Sequence, residues 1–129
     1  MKNKLVFAVI FAVLFLFAGG IQNSYAQDGP IAGGYGDADV KDKEVIAAAK
    51  FAVRKRGLNQ KATITLVAVN KAQVQVVAGL NYRVCLQVRV KRAGKKAVTQ
   101  NIEAVVYKNL KRVYSLTSWT ILKDPAECS

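Results

Sequence analysis

From Leu80 to Lys91 the chain alternates without interruption. Leu80, Tyr82, Val84, Leu86, Val88 and Val90 are apolar, and Asn81, Arg83, Cys85, Gln87, Arg89 and Lys91 stand between them. Side chains along a strand point to opposite faces with a period of two, so this run predicts a long strand with one buried face and one wet, basic face. Cys85 falls on the wet face. A strand of this kind must pair with others and must have its apolar face covered, which restricts the rest of the chain to supplying partners and a lid.

The partners are legible on both sides. Upstream, "ATITLVAVNKAQVQ" is rich in threonine and valine and suits a strand. Downstream, "KRAGKK" (Lys91 to Lys96) is a charged hairpin turn. A strand follows with Ile102, Ala104 and Val106 inward and Glu103 and Tyr107 outward. "KNLKR" turns the chain again, "VYSLTSWTILK" forms the last strand, and Pro125 ends it.

The lid is "DKEVIAAAKFAVRKRG". Val45, Ala48, Ala49, Ala52 and Val53 recur at three- and four-residue spacing, with Ile46 widening the stripe. Asp42 is a good N-cap, and Glu44 suits the positive end of the helix dipole. Arg54, Lys55 and Arg56 suit the other end, and Gly57 reads as the stop. The alanines predict close packing on a flat partner. The expected class is α+β: a curved antiparallel sheet of four strands wrapped around one helix. A short strand near Gly33 to Tyr35 would make a fifth. Gln27 to Asp39 otherwise reads as an exposed flexible arm.

The first residues read as a secretory signal. Lys2 and Lys4 precede the apolar run Leu5 to Phe17, and "SYA" (Ser24 to Ala26) offers small residues for cleavage. The run falls short of the ~20 apolar residues a membrane span needs, unless Ala18 to Ile21 are added. Residues 1–26 are thus expected to be removed and 27–129 to form a single exported domain, extracellular or periplasmic. Taking 26 from the 129 residues leaves 103, enough for one modest core.

Subtracting Lys2 and Lys4 from the formal charge of +12 leaves +10. Such a balance favours acidic partners, or simply a solvated surface. Cys85 and Cys128 are the two cysteines. An internal bridge between them would stabilise by ~2–4 kcal/mol; two free thiols or a bridge between molecules are the alternatives. With no histidine, Ser–His and Cys–His hydrolase chemistry is excluded, and two isolated cysteines do not make a zinc shell. No enzyme, metal site, cofactor or small-molecule substrate is expected. "AGGYG" (Ala32 to Gly36) neither follows a strand nor opens a helix, so it does not read as a nucleotide loop.

One stretch does not fit a plain sheet. Gln75, Val76, Val77, Ala78 and Gly79 lie where the chain must turn, yet two adjacent valines stand there. This "QVVAG", followed by Asn81-Tyr82, resembles the first inhibitory hairpin of the cystatin family. "AAKFAV" (Ala48 to Val53) resembles that family's helix signature. Gly33-Gly34 stand where its arm carries glycine, and "IEAVVY" (Ile102 to Tyr107) resembles the strand leading to its second hairpin. The resemblance runs from Gly33 to Trp119.

It implies a cystatin-like fold and reversible, tight-binding inhibition of papain-like cysteine proteases. The arm (Gly33, Gly34), the first hairpin (Gln75 to Gly79) and the second hairpin (Leu110, Lys111) would together form a wedge that fills the enzyme cleft. It implies a monomer, with exchange of hairpins between two chains as the route to a dimer. Cystatins commonly carry Pro-Trp where Leu110-Lys111 stand here, so weaker inhibition or a narrower range is expected. Trp119 reads as a structural aromatic. Asn59 lies near where some members carry a legumain-binding asparagine, though Asn after a helix stop is ordinarily loop chemistry. The competing reading is a non-inhibitory scaffold of this fold. Arg83, Arg89, Lys91, Arg92, Lys95 and Lys96 would then hold a polyanion: glycan, anionic membrane or nucleic acid. Few aromatics interleave these bases, which disfavours single-strand recognition.

Overall fold

In the computed structural model, which describes residues 33–129, the alternating run is the strand β3 (Gly79–Lys91). The expected signal segment and the arm up to Ala32 lie outside the described residues. Around β3 are β1 (Tyr35–Asp37), the helix α1 (Lys43–Gln60), β2 (Thr63–Val77), β4 (Val98–Lys108) and β5 (Tyr114–Leu122). A 3-10 turn, Pro125–Glu127, follows. The five strands form one antiparallel sheet in the order β1-β2-β3-β4-β5. The fold is α+β, one antiparallel sheet packed on one helix, as the sequence predicts.

The inward residues of β3 and β4 meet the small face of the helix. Val45, Ala48, Ala49 and Ala52 are buried against Tyr82, Val84, Leu86, Val88, Ile102, Ala104 and Val106. Alanines bring the helix axis close to the sheet, and the sheet supplies the large side chains. Trp119 packs at the rim of this core, with the Arg56 guanidinium over its ring.

The helix does not stop at Gly57. It runs on to Gln60, and Lys61 (φ 51°) takes the left-handed cap position usually given to glycine. Gly57 serves another purpose. Its carbonyl accepts from the amides of Lys61 and Ala62, and a Cβ there would lie 2.9 Å from the Ala62 oxygen. It is the residue that lets the chain fold back tightly into β2. Asn59, expected in a loop, is therefore in the last turn of α1 and exposed.

β2 does not hold a simple period of two. Pairing with β3 shifts between Leu66 and Ala68 and again between Val69 and Lys71. Each bulge adds one residue and inverts which face the side chains take. Ile64 and Leu66 face Val90 and Val88. After the first bulge Val69, not Ala68, faces Leu86. After the second, Ala72 and Val74 face Val84 and Tyr82. The two inversions cancel, and the strand gains bend and twist to follow the helix.

Cys85 is on the outer face of β3 as its parity requires, but it is not wet. It is only 5 % exposed, because the tail after β5 crosses this face and Cys128 bonds to it. The Cα atoms are 6.0 Å apart. The Ser129 amide donates to Glu103 at 2.8 Å and helps to seat the tail.

Candidate functional site

The turn containing Val76 and Val77 is the tip of the β2–β3 hairpin. Val77 pairs with Gly79, and Ala78 alone makes the bend. Gly79 has φ +112°, a conformation L side chains rarely adopt. A Cβ on it would run into the carbonyl oxygen of Lys108 and lie 3.1 Å from the Asn109 Cα. Both reasons for glycine thus hold at one position. The Tyr107 hydroxyl donates to the Ala78 carbonyl and ties the tip to β4.

The second hairpin, between β4 and β5, stands beside the first. Its turn is closed by the Arg112 amide donating to the Asn109 carbonyl at 2.9 Å. The Asn109 side chain accepts from the amides of Lys111 and Val113, each at 2.9 Å, which fixes the loop from within. Arg112 (φ 65°) takes the left-handed position. Leu110 projects from this loop and is 80 % exposed, with Lys111 also exposed beside it.

The base of this hairpin is anchored to the helix start. Asp42 caps α1 by accepting from Glu44 N at 2.7 Å. Glu44 then takes the ammonium of the buried Lys108, with Tyr114 Oη at 3.3 Å and Arg112 Nη2 at 3.5 Å. The hydrogen bond from Lys108 is the main reason the Glu44 carboxyl is held below the usual carboxylate range, and the same bond raises the Lys108 ammonium.

The arm is not loose from Gly33 onward. Its strand is Tyr35–Asp37, two residues later than expected, and it pairs with Gln73 to Gln75 of β2. Gly33 N donates to Val76 O at 3.3 Å, and Gln75 Nε2 donates to Gly33 O at 3.0 Å. Two rows of side chains across the strands hold it. Asn81 donates to Gln75 at 2.8 Å. In the next row Arg83 donates from Nε to Gln73 at 2.9 Å, Gln73 donates to Asp37 at 3.3 Å, and the Arg83 guanidinium lies 4.0 Å above the Tyr35 ring. Arg83 is therefore committed to the arm and does not join the basic cluster predicted for it. Nothing in the composition flagged Gln73, Gln75, Asn81 and Arg83 as an arm-holding set. Their common parity on β2 and β3 was the available signal.

Gly33 and Gly34, the tip Val76 to Gly79 and the loop at Leu110-Lys111 consequently lie at one end of the sheet. The contacts between Gly33 and Val76, and between Gly79 and Lys108, run through them in that order. Asn59 sits at the opposite end, at the C-terminus of α1. Arg89, Lys91 and Lys96 line a shared surface at that far end as well.

The family model described as "SQAPI: Aspartic acid proteinase inhibitor" matches residues 38–122, which span the whole helix and the four long strands. The L-cystatin of Tachypleus tridentatus is 35 % identical over 80 residues, 60 % of this chain and 56 % of that protein; the chain thus spans little more than half the length of this curated relative. Among solved structures, a salivary cystatin from the soft tick Ornithodoros moubata has a TM-score of 0.59 at 23 % identity, covering 71 % of this chain and 99 % of that one. Dimeric human cystatin F has a TM-score of 0.61 at 16 % identity, covering 77 % and 94 %. These two likenesses establish the fold. Sheet order, helix face and the match over residues 38–122 agree, and the chain belongs to the cystatin-like family described as SQAPI, aspartic acid proteinase inhibitor.

Proposed function

We propose that the protein is an exported, reversible inhibitor of papain-like cysteine proteases, and that Gly33-Gly34, Gln75 to Gly79 and Leu110-Lys111 form the wedge that enters the cleft. Removal of residues 1–26 as a signal segment belongs to the same reading, as does a monomeric working form. The observation that carries it is the placement of apolar side chains on stiff turns at one end. Val76 and Val77 remain 37 % and 40 % exposed and Leu110 80 %. Tyr107, Asn109 and the Gln–Asn–Arg rows hold the backbone beneath them, so little ordering is left for association to supply. Fully burying a residue of this kind yields ~1.5–3 kcal/mol, so Leu110 holds back more of that than either valine. Inhibition needs no catalysis and no covalent bond, in keeping with a chain that lacks histidine.

The family's description favours a second reading, inhibition of an aspartic proteinase. The second hairpin is where this chain departs from the cystatin pattern, with Leu110-Lys111 in place of Pro-Trp. Parallel titration of papain and pepsin decides between them. Stoichiometric loss of papain activity, abolished by Val76→Asp, supports the first reading; inhibition of pepsin with papain unaffected replaces it with the second.

A further inference from the structure

Between Glu44 and Glu103 the chain contains no acidic residue at all, while twelve lysines and arginines fall in the same stretch. The fold sorts this imbalance in space. Asp37, Asp39, Asp42 and Glu44 gather at the arm and the helix start. The opposite end, roughly 40 Å away along β3 at ~3.4 Å per residue, has lysines and arginines but no acidic residue lining the two hollows at its edge.

At that end the sheet is open. Among the described residues, β1 covers only Gln73 to Gln75 of β2, leaving Thr63 to Leu66 as a bare edge ahead of the first bulge. An uncovered edge presents free backbone donors and acceptors to any extended chain. On its helix side lies a groove of about 780 Å³. Val53, Leu58, Ile64 and Leu66 give it an apolar floor and wall, and Lys50, Arg54 and Lys61 its rim. Leu58 is 73 % exposed there. On the outer side, Thr65 borders a second hollow with Arg89, Lys91 and Lys96. Thr65 lines both, so the two faces are continuous around the edge.

We propose that this edge binds an extended acidic segment of another protein as a sixth strand. The two faces fit alternate side chains of such a segment. Those on the outer side would be carboxylates, paired with Arg89, Lys91 and Lys96. Those on the helix side would be apolar, seated against Leu58, Ile64 and Leu66. A second copy of this chain is a poor occupant, because its own edge brings the same positive charge from both faces. The site is remote from the inhibitory end, so a protease and the acidic segment bind together.

The test uses the whole mature protein and a labelled peptide in which glutamate alternates with valine, beside a control with the same residues in two blocks. The alternating peptide binds, and it slows exchange of those amides between Thr63 and Leu66 that point away from β3. The exposed double variant Arg89→Glu/Lys96→Glu weakens it by about tenfold or more while leaving protease inhibition unchanged. Leu58→Asp, on the other face, weakens it as well. Equal binding of the block peptide would make the surface a diffuse polyanion patch and overturn the proposal. So would failure of the alternating peptide to bind, or protection, already in the free protein, of those amides in the stretch that point away from β3.

Discussion

Gly79 and Lys108 meet backbone to backbone, and their contact is what sets the two hairpins side by side. The carbonyl of Lys108 occupies the space a Cβ on Gly79 would need, and the ammonium of the same lysine reaches back to Glu44 at the helix start. One residue of β4 thus fixes both the spacing of the tips and the attachment of the helix.

Gly79→Ala should separate the hairpins. It combines an unfavourable φ with a clash against backbone that cannot step aside, and should destabilise by roughly 2–4 kcal/mol. Gly94, at φ +72°, has nothing within 4 Å of a built Cβ. Gly94→Ala therefore carries only the conformational cost, ~1–2 kcal/mol. Urea unfolding of both variants measures the difference. Equal losses would mean that the Lys108 contact exerts no constraint.

Leu110 should be a stronger anchor than either valine. Scaled by the area each leaves exposed, Leu110→Ala should raise the inhibition constant about 10–20-fold, and Val76→Ala or Val77→Ala about 3-fold. Leu110→Ala should keep the parent's unfolding midpoint closely, since Leu110 faces solvent; the two valine variants, whose side chains are more than half covered, should lower it slightly. If the valines dominate, the second hairpin stays clear of the enzyme.

The second loop should accept the family's usual pair. Leu110 is the first central residue of the turn from Asn109 to Arg112, a position proline favours. Leu110→Pro/Lys111→Trp should fold and tighten inhibition of papain-like enzymes, because an aromatic anchor is added at the tip. Inhibition constants read the result, and no gain with any such enzyme would argue against the wedge.

Stability should depend on pH through the Glu44–Lys108 pair. The folded Glu44 carboxyl is depressed, so its contribution is present above the unfolded value of ~4.3 and is lost as pH falls through the folded one. Lys108 is raised, so its contribution holds below ~10.4 and disappears as pH climbs through its folded value. Glu44→Gln should lower the urea midpoint at pH 7, and the gap from the parent should close in acid. A gap that persists unchanged in acid would mean the carboxylate is not the source.

Cys128→Ser should free the tail and expose the outer face of β3. The bridge closes a 43-residue separation, for which chain entropy gives about 4 kcal/mol. Cys85, buried in the parent, should then react with a thiol reagent under native conditions. A protected Cys85 in that variant would show that the tail is held by other contacts.

The sheet and helix were legible because each rests on a repeat. The stripe from Val45 to Val53 and the alternation from Leu80 to Val90 mark buried faces by spacing alone, and every buried position in them except Cys85 follows. The tip of the β2–β3 hairpin was legible for the opposite reason, since Val76 and Val77 break the rule that turns are polar. What escaped depends on distant parts meeting. Gly57 looked like a helix stop because its true neighbour, the Ala62 carbonyl, is placed only by the return of the chain. Cys85 looked wet because its cover is the tail some forty residues on. Arg83 looked like one base among six until the arm laid Tyr35 beneath it.

The paired bulges of β2 give that strand something like a reading frame. Deleting Val67 alone, or Asn70 alone, would leave a single inversion and turn the hydrophobes on one side of the cut outward. Removing both would restore phase but straighten the ribbon. Length variation among relatives in this segment should therefore come in twos, and a lone insertion or deletion there should mark a chain that has found another way to bend.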